Sequence, residues 1–189
     1  NVTIDDQAMR TGQLQTVVGT EIRNKTLGVI GLGRIGSEVA KVGNAFGMNV
    51  IALSENLTAE RAAECGTTLV SKDDLFRQSD YVVVMVIQSD RTIGLVGAHE
   101  IGLMKPDAYL INPASGAIVE EAALVDALKN NKIAGAGLDV YDRPPLRPVM
   151  AQRPVEKVLT DALGQAALRV PLLQLEASML ALMRDAAAE

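Results

Sequence analysis

Tryptophan is missing from this 189-residue chain and aromatic residues make up only 3% of it, so the interior has to be filled by Val, Ile, Leu, Ala and Met. Cysteine occurs once, at Cys65, which excludes an internal disulfide. Histidine also occurs once, at His99, so no Cys/His ligand set for zinc can be assembled, and no G-x-S-x-G nucleophile elbow is present. Lys and Arg form no cluster, and the net charge of -5 with a pI near 5.0 argues against nucleic acid or an anionic membrane as a partner. No apolar run is long enough to span a bilayer, and the polar, acidic start from Asn1 to Arg10 is unlike a secretory signal. Together these absences point to a cytoplasmic protein whose ligand is small.

What is present is a core-forming composition, 48% hydrophobic and 22% charged, and one distinctive stretch. Residues 26–30 read as a short buried strand that runs into Gly31-Leu32-Gly33-Arg34-Ile35-Gly36. In such a G-x-G-x-x-G turn the first glycine makes the tight bend, the second lets a phosphate approach bare backbone, and the third lets helix and strand pack closely. An amphipathic helix over residues 35–46 follows, with Val39, Val42 and Phe46 expected inward and Glu38 and Lys41 outward. A second strand over 49–53 completes a βαβ unit, the context the fingerprint requires, and a pyrophosphate would sit on the helix's N-terminal amides.

Strands and helices alternate along the rest of the chain. Thr3 with Asp6 reads as an N-cap for a helix over 4–14. Thr58 caps a helix over 59–65, a short strand covers 67–70, and Ser71 with Asp74 caps a helix over 72–77. The nearly unbroken apolar run 81–87 suits a parallel strand covered on both faces. Helix 98–104, strand 108–111, helix 120–129 and strand 133–140 follow. The acidic pairs Asp73-Asp74 and Glu120-Glu121 fit the first turns of helices. This pattern is that of a Rossmann-like α/β fold, a doubly wound parallel sheet with helices on both faces. Residues 143–154 hold Pro144, Pro145, Pro148 and Pro154 and read as an extended loop before a strand over 157–160. From Pro171 onward Leu172, Leu175, Met179 and Leu182 recur at heptad-like spacing, on a helix that either packs on its own domain or serves self-association. The implied division is an N-terminal helical arm over 1–20, a dinucleotide-binding domain over 21–165 and a C-terminal amphipathic helix over 166–189.

Several segments, in order, carry a family resemblance: Lys25 through Gly36, Ala45-Phe-Gly-Met48, Leu103-Met-Lys-Pro106, Ile118-Val-Glu-Glu-Ala-Ala-Leu124 and Ile133-Ala-Gly-Ala-Gly-Leu-Asp-Val140. Over roughly residues 8–164 the chain resembles the cofactor domain of the D-2-hydroxyacid dehydrogenases. The resemblance implies an NAD or NADP site in which Gly31, Gly33 and Gly36 form the phosphate turn, Arg34 and Ile35 present backbone amides to the pyrophosphate, and Asp139 lies near the nicotinamide carboxamide. At the ribose position, where many members carry Asp, this chain has Ser54 followed by Glu55, so the choice between NAD and NADP stays open.

The family's catalytic types are replaced. Its carboxylate-binding Arg falls at Ser115 in Asn112-Pro-Ala-Ser115-Gly116, and its general acid/base His falls at Ala162 in Thr160-Asp-Ala162-Leu-Gly164. The Glu that tunes that His would fall at Pro144, and His99 stands at no position the family uses. The family's substrate domain comes from sequence on both sides of the cofactor domain, and here both flanks are nearly absent. No catalytic residue and no metal ligand is assigned. The leading expectation is an NAD(P)-binding domain derived from such a dehydrogenase but lacking its activity, redesigned as an oligomerising scaffold. Two alternatives stand beside it: an NAD(P)-dependent 2-hydroxyacid oxidoreductase that completes its site with a partner chain, and a structural module in which the glycine motif is a relic.

Overall fold

The computed structural model describes residues 2–13 and 19–141. An N-terminal helix, α1 (Val2–Arg10), precedes an alternation of β1 (Thr26–Ile30), α2 (Arg34–Ala45), β2 (Asn49–Leu53), α3 (Ala59–Glu64), β3 (Thr68–Leu69), α4 (Lys72–Gln78), β4 (Tyr81–Val84), α5 (Ala98–Leu103), β5 (Tyr109–Asn112), α6 (Glu121–Lys129) and β6 (Gly135–Leu138). A single 3-10 turn, Gly116–Ile118, leads into α6. All six strands are parallel, as expected for a doubly wound sheet, and lie in the order β3-β2-β1-β4-β5-β6, which is the Rossmann order.

Side chains alternate between the two faces of the sheet, and each face has its own aliphatic core. Val29, Tyr81 and Val83 pack with Leu27, Val39 and Ala40 beneath α2 and α3. Ile30, Val82 and Val84 pack with Leu75, Phe76, Ile101 and Leu124 beneath α4, α5 and α6. Burial on both faces explains why β1 and β4 read as unbroken apolar runs. At the opposite end of the sheet from the glycine turn, Asp80 is buried and accepts hydrogen bonds from the Thr26 amide (2.7 Å) and the Lys105 ammonium (2.9 Å). Burial raises its pKa, but those donors and the Lys25 charge outweigh it, and the carboxyl is held below its ordinary value.

The expected caps are present: the Thr58 hydroxyl accepts from the Arg61 amide and the Ser71 hydroxyl from the Asp74 amide, each at 3.2 Å. Four expectations need correction. Phe46 faces outward, 50% exposed, because α2 approaches the sheet through Gly36, Ala40 and Gly43, and bulk is excluded from that line. The strand expected over 81–87 stops at Val84, and Ile87 is 88% exposed, since the chain leaves the sheet for a loop there. The last described strand covers Gly135–Leu138 rather than 133–140. The first helix begins at Val2, so Thr3 lies within it instead of capping it. The proline-rich loop, the strand over 157–160 and the helix from Pro171 lie outside the described residues.

Candidate functional site

The connections from β1 run outward through β2 to β3, then return to the other side of β1 as β4, so the strand order reverses between β1 and β4. In open α/β sheets a crevice opens at that reversal, beyond the carboxyl ends of the strands. Ile30 is paired with Leu53 on one side and Val84 on the other, so Gly31, Ser54 and Met85 are the first residues past the strands. The ladder continues one step further: the Gly31 amide donates to the Leu53 carbonyl and the Met85 amide to the Ile30 carbonyl, both at 2.7 Å.

The three glycines of the turn differ in why they are glycines. Gly31 has φ +99°, and a Cβ there would stand 2.7 Å from both the Met85 carbonyl oxygen and Val86 Cγ1. Gly36, in the first turn of α2, rides directly on the Gly31 carbonyl, leaving no room for a side chain. Both are required by the fold itself. Gly33 is not: its φ of -82° suits any residue, and nothing lies within 4 Å of where its Cβ would be. The space over Gly33 is open to a ligand.

Gly33 is also the N-cap of α2, with no side-chain cap and no acidic residue in the first turn. The amides of Arg34, Ile35 and Gly36 therefore have no acceptor within the helix, the arrangement that binds anions. Ser37 is the first residue to bond back, through its amide, to the Gly33 carbonyl (2.9 Å). Arg34 is exposed and Ile35 half-buried.

Ser54 is half-buried at the exit of β2, and its carbonyl accepts from the Leu57 amide (3.2 Å). The next residue, Glu55, is exposed and paired with Arg91 from the loop after β4, 2.5 Å away. That ion pair spans the two sides of the reversal. Its partners are 36 positions apart, so no local pattern in the sequence announces it.

Further along the same end of the sheet, Asn112 closes β5 almost fully buried, its side chain accepting from the Ala114 amide and donating to the Ser115 carbonyl. This Asx-type turn presents Ser115, whose hydroxyl bonds to the Gln88 side-chain oxygen. Gln88 was not among the residues singled out from sequence. Asp139 is exposed just past β6, and its amide donates to the Asn112 carbonyl (3.2 Å). Burial and then the nearby Asp139 carboxylate push the Tyr141 phenol above its ordinary pKa. Gly31, Gly33, Arg34, Ile35, Gly36 and Ser54 thus gather around β1 and β2, while Asp139 stands at the edge strand, three strands from β1.

His99 lies apart from all of these, 64% exposed, with Nε2 3.2 Å from Asp73 of α4. That hydrogen bond is the main reason the exposed Asp73 carboxyl sits below its usual pKa. Among the described residues no three His, Cys, Asp or Glu side chains form a metal site, and no helix is long and apolar enough to cross a membrane. Pro144 and Ala162 lie outside the described residues.

Residues 1–160 match the family model described as the D-isomer specific 2-hydroxyacid dehydrogenase, NAD binding domain. A glyoxylate reductase of Aeropyrum pernix is 45% identical over 141 residues, which is 74% of this chain and 42% of that protein. Among solved structures, a glyoxylate reductase from Paecilomyes thermophila superposes with a TM-score of 0.69 at 36% identity, covering 80% of this chain and 47% of the other. A Lactobacillus jensenii D-lactate dehydrogenase solved with NAD+ superposes with a TM-score of 0.68 at 30% identity, covering 85% and 50%. The chain spans about half the length, or less, of the relatives it matches.

Proposed function

Because the chain belongs to the NAD-binding-domain family of the D-isomer specific 2-hydroxyacid dehydrogenases, we propose that it binds a nicotinamide dinucleotide, NAD or NADP, across the crevice between β1 and β4 and transfers no hydride by itself. The observation that carries this reading is Gly33, a glycine that neither backbone strain nor a protein neighbour requires, placed where uncapped helix amides meet open space. A pyrophosphate there gives the missing side chain its reason. In this assignment the amides of Arg34, Ile35 and Gly36 hold the pyrophosphate, with Gly31 shaping the turn. Ser54 meets the adenosine ribose, and Asp139 the nicotinamide carboxamide.

The bound cofactor would supply hydride exchange, but the proton and the substrate carboxylate need protein groups of their own. Ser115 hydrogen-bonds Gln88 and cannot form the bidentate, charge-assisted pair a guanidinium makes. No catalytic residue is assigned on this chain. Its division into an arm over 1–20, a cofactor domain over 21–165 and an associating helix over 166–189 completes the reading of a redesigned cytoplasmic scaffold. Ser115, which cannot supply a carboxylate clamp, leaves one second reading, a 2-hydroxyacid oxidoreductase that completes its site with a partner chain.

Titration with NADH, followed by the cofactor's own fluorescence, tests the binding reading. Enhancement that saturates supports it, and none at millimolar cofactor removes it in favour of a relic motif.

A further inference from the structure

The segment 87–93, between β4 and α5, is braced from within. The Ser89 amide donates to the Thr92 hydroxyl (2.7 Å), that hydroxyl donates to the Ile87 carbonyl (2.8 Å), and the Ile93 amide donates to the Ser89 carbonyl (3.0 Å). These bonds make it one compact turn. Its base is fixed where the Gly94 amide donates to the Ala117 carbonyl (2.9 Å) and Val96 pairs with Val119. Its large side chains do not hold it to the sheet, since Ile87 and Ile93 are both exposed. What ties it down is polar: Arg91 to Glu55 past β2, and Gln88 to Ser115 past β5.

β2 and β4 flank β1, so with neighbouring strands about 4.8 Å apart their ends stand about 10 Å from each other, the glycine turn between them. Glu55 and Arg91 close that gap with a contact of 2.5 Å, which leaves no passage between them for a sugar or a base. A dinucleotide reaching from Ser54 past Gly33 to Asp139, as assigned above, has its adenosine half in this gap. Both charged groups are more than 60% exposed, so the pair is weak and parts readily. With Gln88 still held by Ser115, the turn can release Glu55 without leaving the sheet. We infer that Glu55 and Arg91 form a latch across the adenosine end of the crevice, which a dinucleotide must part each time it enters or leaves. The inference rests on the dinucleotide-binding reading and adds to it a control on the rate of entry.

Stopped-flow mixing of the 189-residue chain with NADH, read by the cofactor's fluorescence, tests it. Glu55→Gln and Arg91→Gln are each expected to raise the association rate by about two- to fivefold, the range open to an exposed ion pair, and the double variant by no more than either alone. Added salt should speed the unaltered chain relative to the double variant, because screening weakens the latch. The signs separate a latch from plain charge. NADH is anionic, so two residues acting only through their field would give faster binding in Glu55→Gln and slower binding in Arg91→Gln. Slower association of Arg91→Gln, or no change in either variant, overturns the inference, and the dinucleotide reading stands as long as NADH saturates the unaltered chain. No saturable NADH binding by the unaltered chain removes both.

Discussion

Gly36 sits against the carbonyl oxygen of Gly31, so closely that the first turn of α2 has no space for even a methyl group there. Gly33, three residues earlier, meets nothing. This contrast separates a glycine needed by the fold from one needed only by a ligand. Gly36→Ala forces the helix off the turn and should cost about 1–3 kcal/mol, read as a fall in Tm. Gly33→Ala should cost no more than about 1 kcal/mol, the preference of the α2 N-cap for glycine over alanine, while sharply weakening dinucleotide binding, because the methyl fills the space the pyrophosphate would use. Equal Tm losses in the two variants, or full binding by Gly33→Ala, would refute the assignment.

Asp80 makes stability depend on acid. Its folded pKa lies below the unfolded value of about 3.9, so the carboxylate's contribution is complete above that value and disappears as pH falls through the folded pKa. Asp80→Asn keeps an acceptor for the Thr26 amide but removes the charge facing Lys105 and Lys25. A loss of about 1–2 kcal/mol near neutrality and a shallower acid limb in a pH series of denaturant melts are expected.

Pyruvate, glyoxylate and hydroxypyruvate should not be reduced by the chain alone with either cofactor. Absence of a positioned general acid/base costs about 10²–10⁴ in rate, and absence of the carboxylate clamp removes orientation as well. Ser115→Arg by itself should not restore turnover, since it supplies the clamp without the proton donor. Steady NADH or NADPH oxidation by the unaltered chain, followed by absorbance, would sink this expectation.

Truncation before Pro171 should convert an associating chain into a smaller species. Sedimentation velocity on the intact and shortened proteins compares them directly, and an unchanged mass would remove the association proposal.

Much of the fold was legible because its signals are local. The glycine spacing, the Thr58 and Ser71 caps and the apolar runs of β1 and β4 each lie within a few residues of what they determine. Strand ends were not legible: Met85, Val86 and Ile87 continue the apolar character of β4, and only the chain's departure from the sheet ends the strand. Phe46 misleads for a related reason, since hydrophobicity says nothing about whether a large side chain fits the narrow gap that Ala40 and Gly43 leave. At the site, Gly31, Gly33 and Gly36 could be singled out from spacing. The Glu55 to Arg91 and Ser115 to Gln88 contacts join loops 36 and 27 positions apart and become visible only once the sheet aligns them.

The pairing of Ile30 with Val84 brings together parts of the chain separated by 54 positions. During synthesis the glycine turn therefore emerges long before Met85 and Val86, the residues that wall it in. A nascent segment ending before Tyr81 would hold the whole fingerprint yet lack half the crevice, and contacts so distant in sequence form slowly. Ligand capture at this turn is thus an assay for completed assembly of both halves of the sheet, and a ligand present during refolding selects the molecules that have joined them.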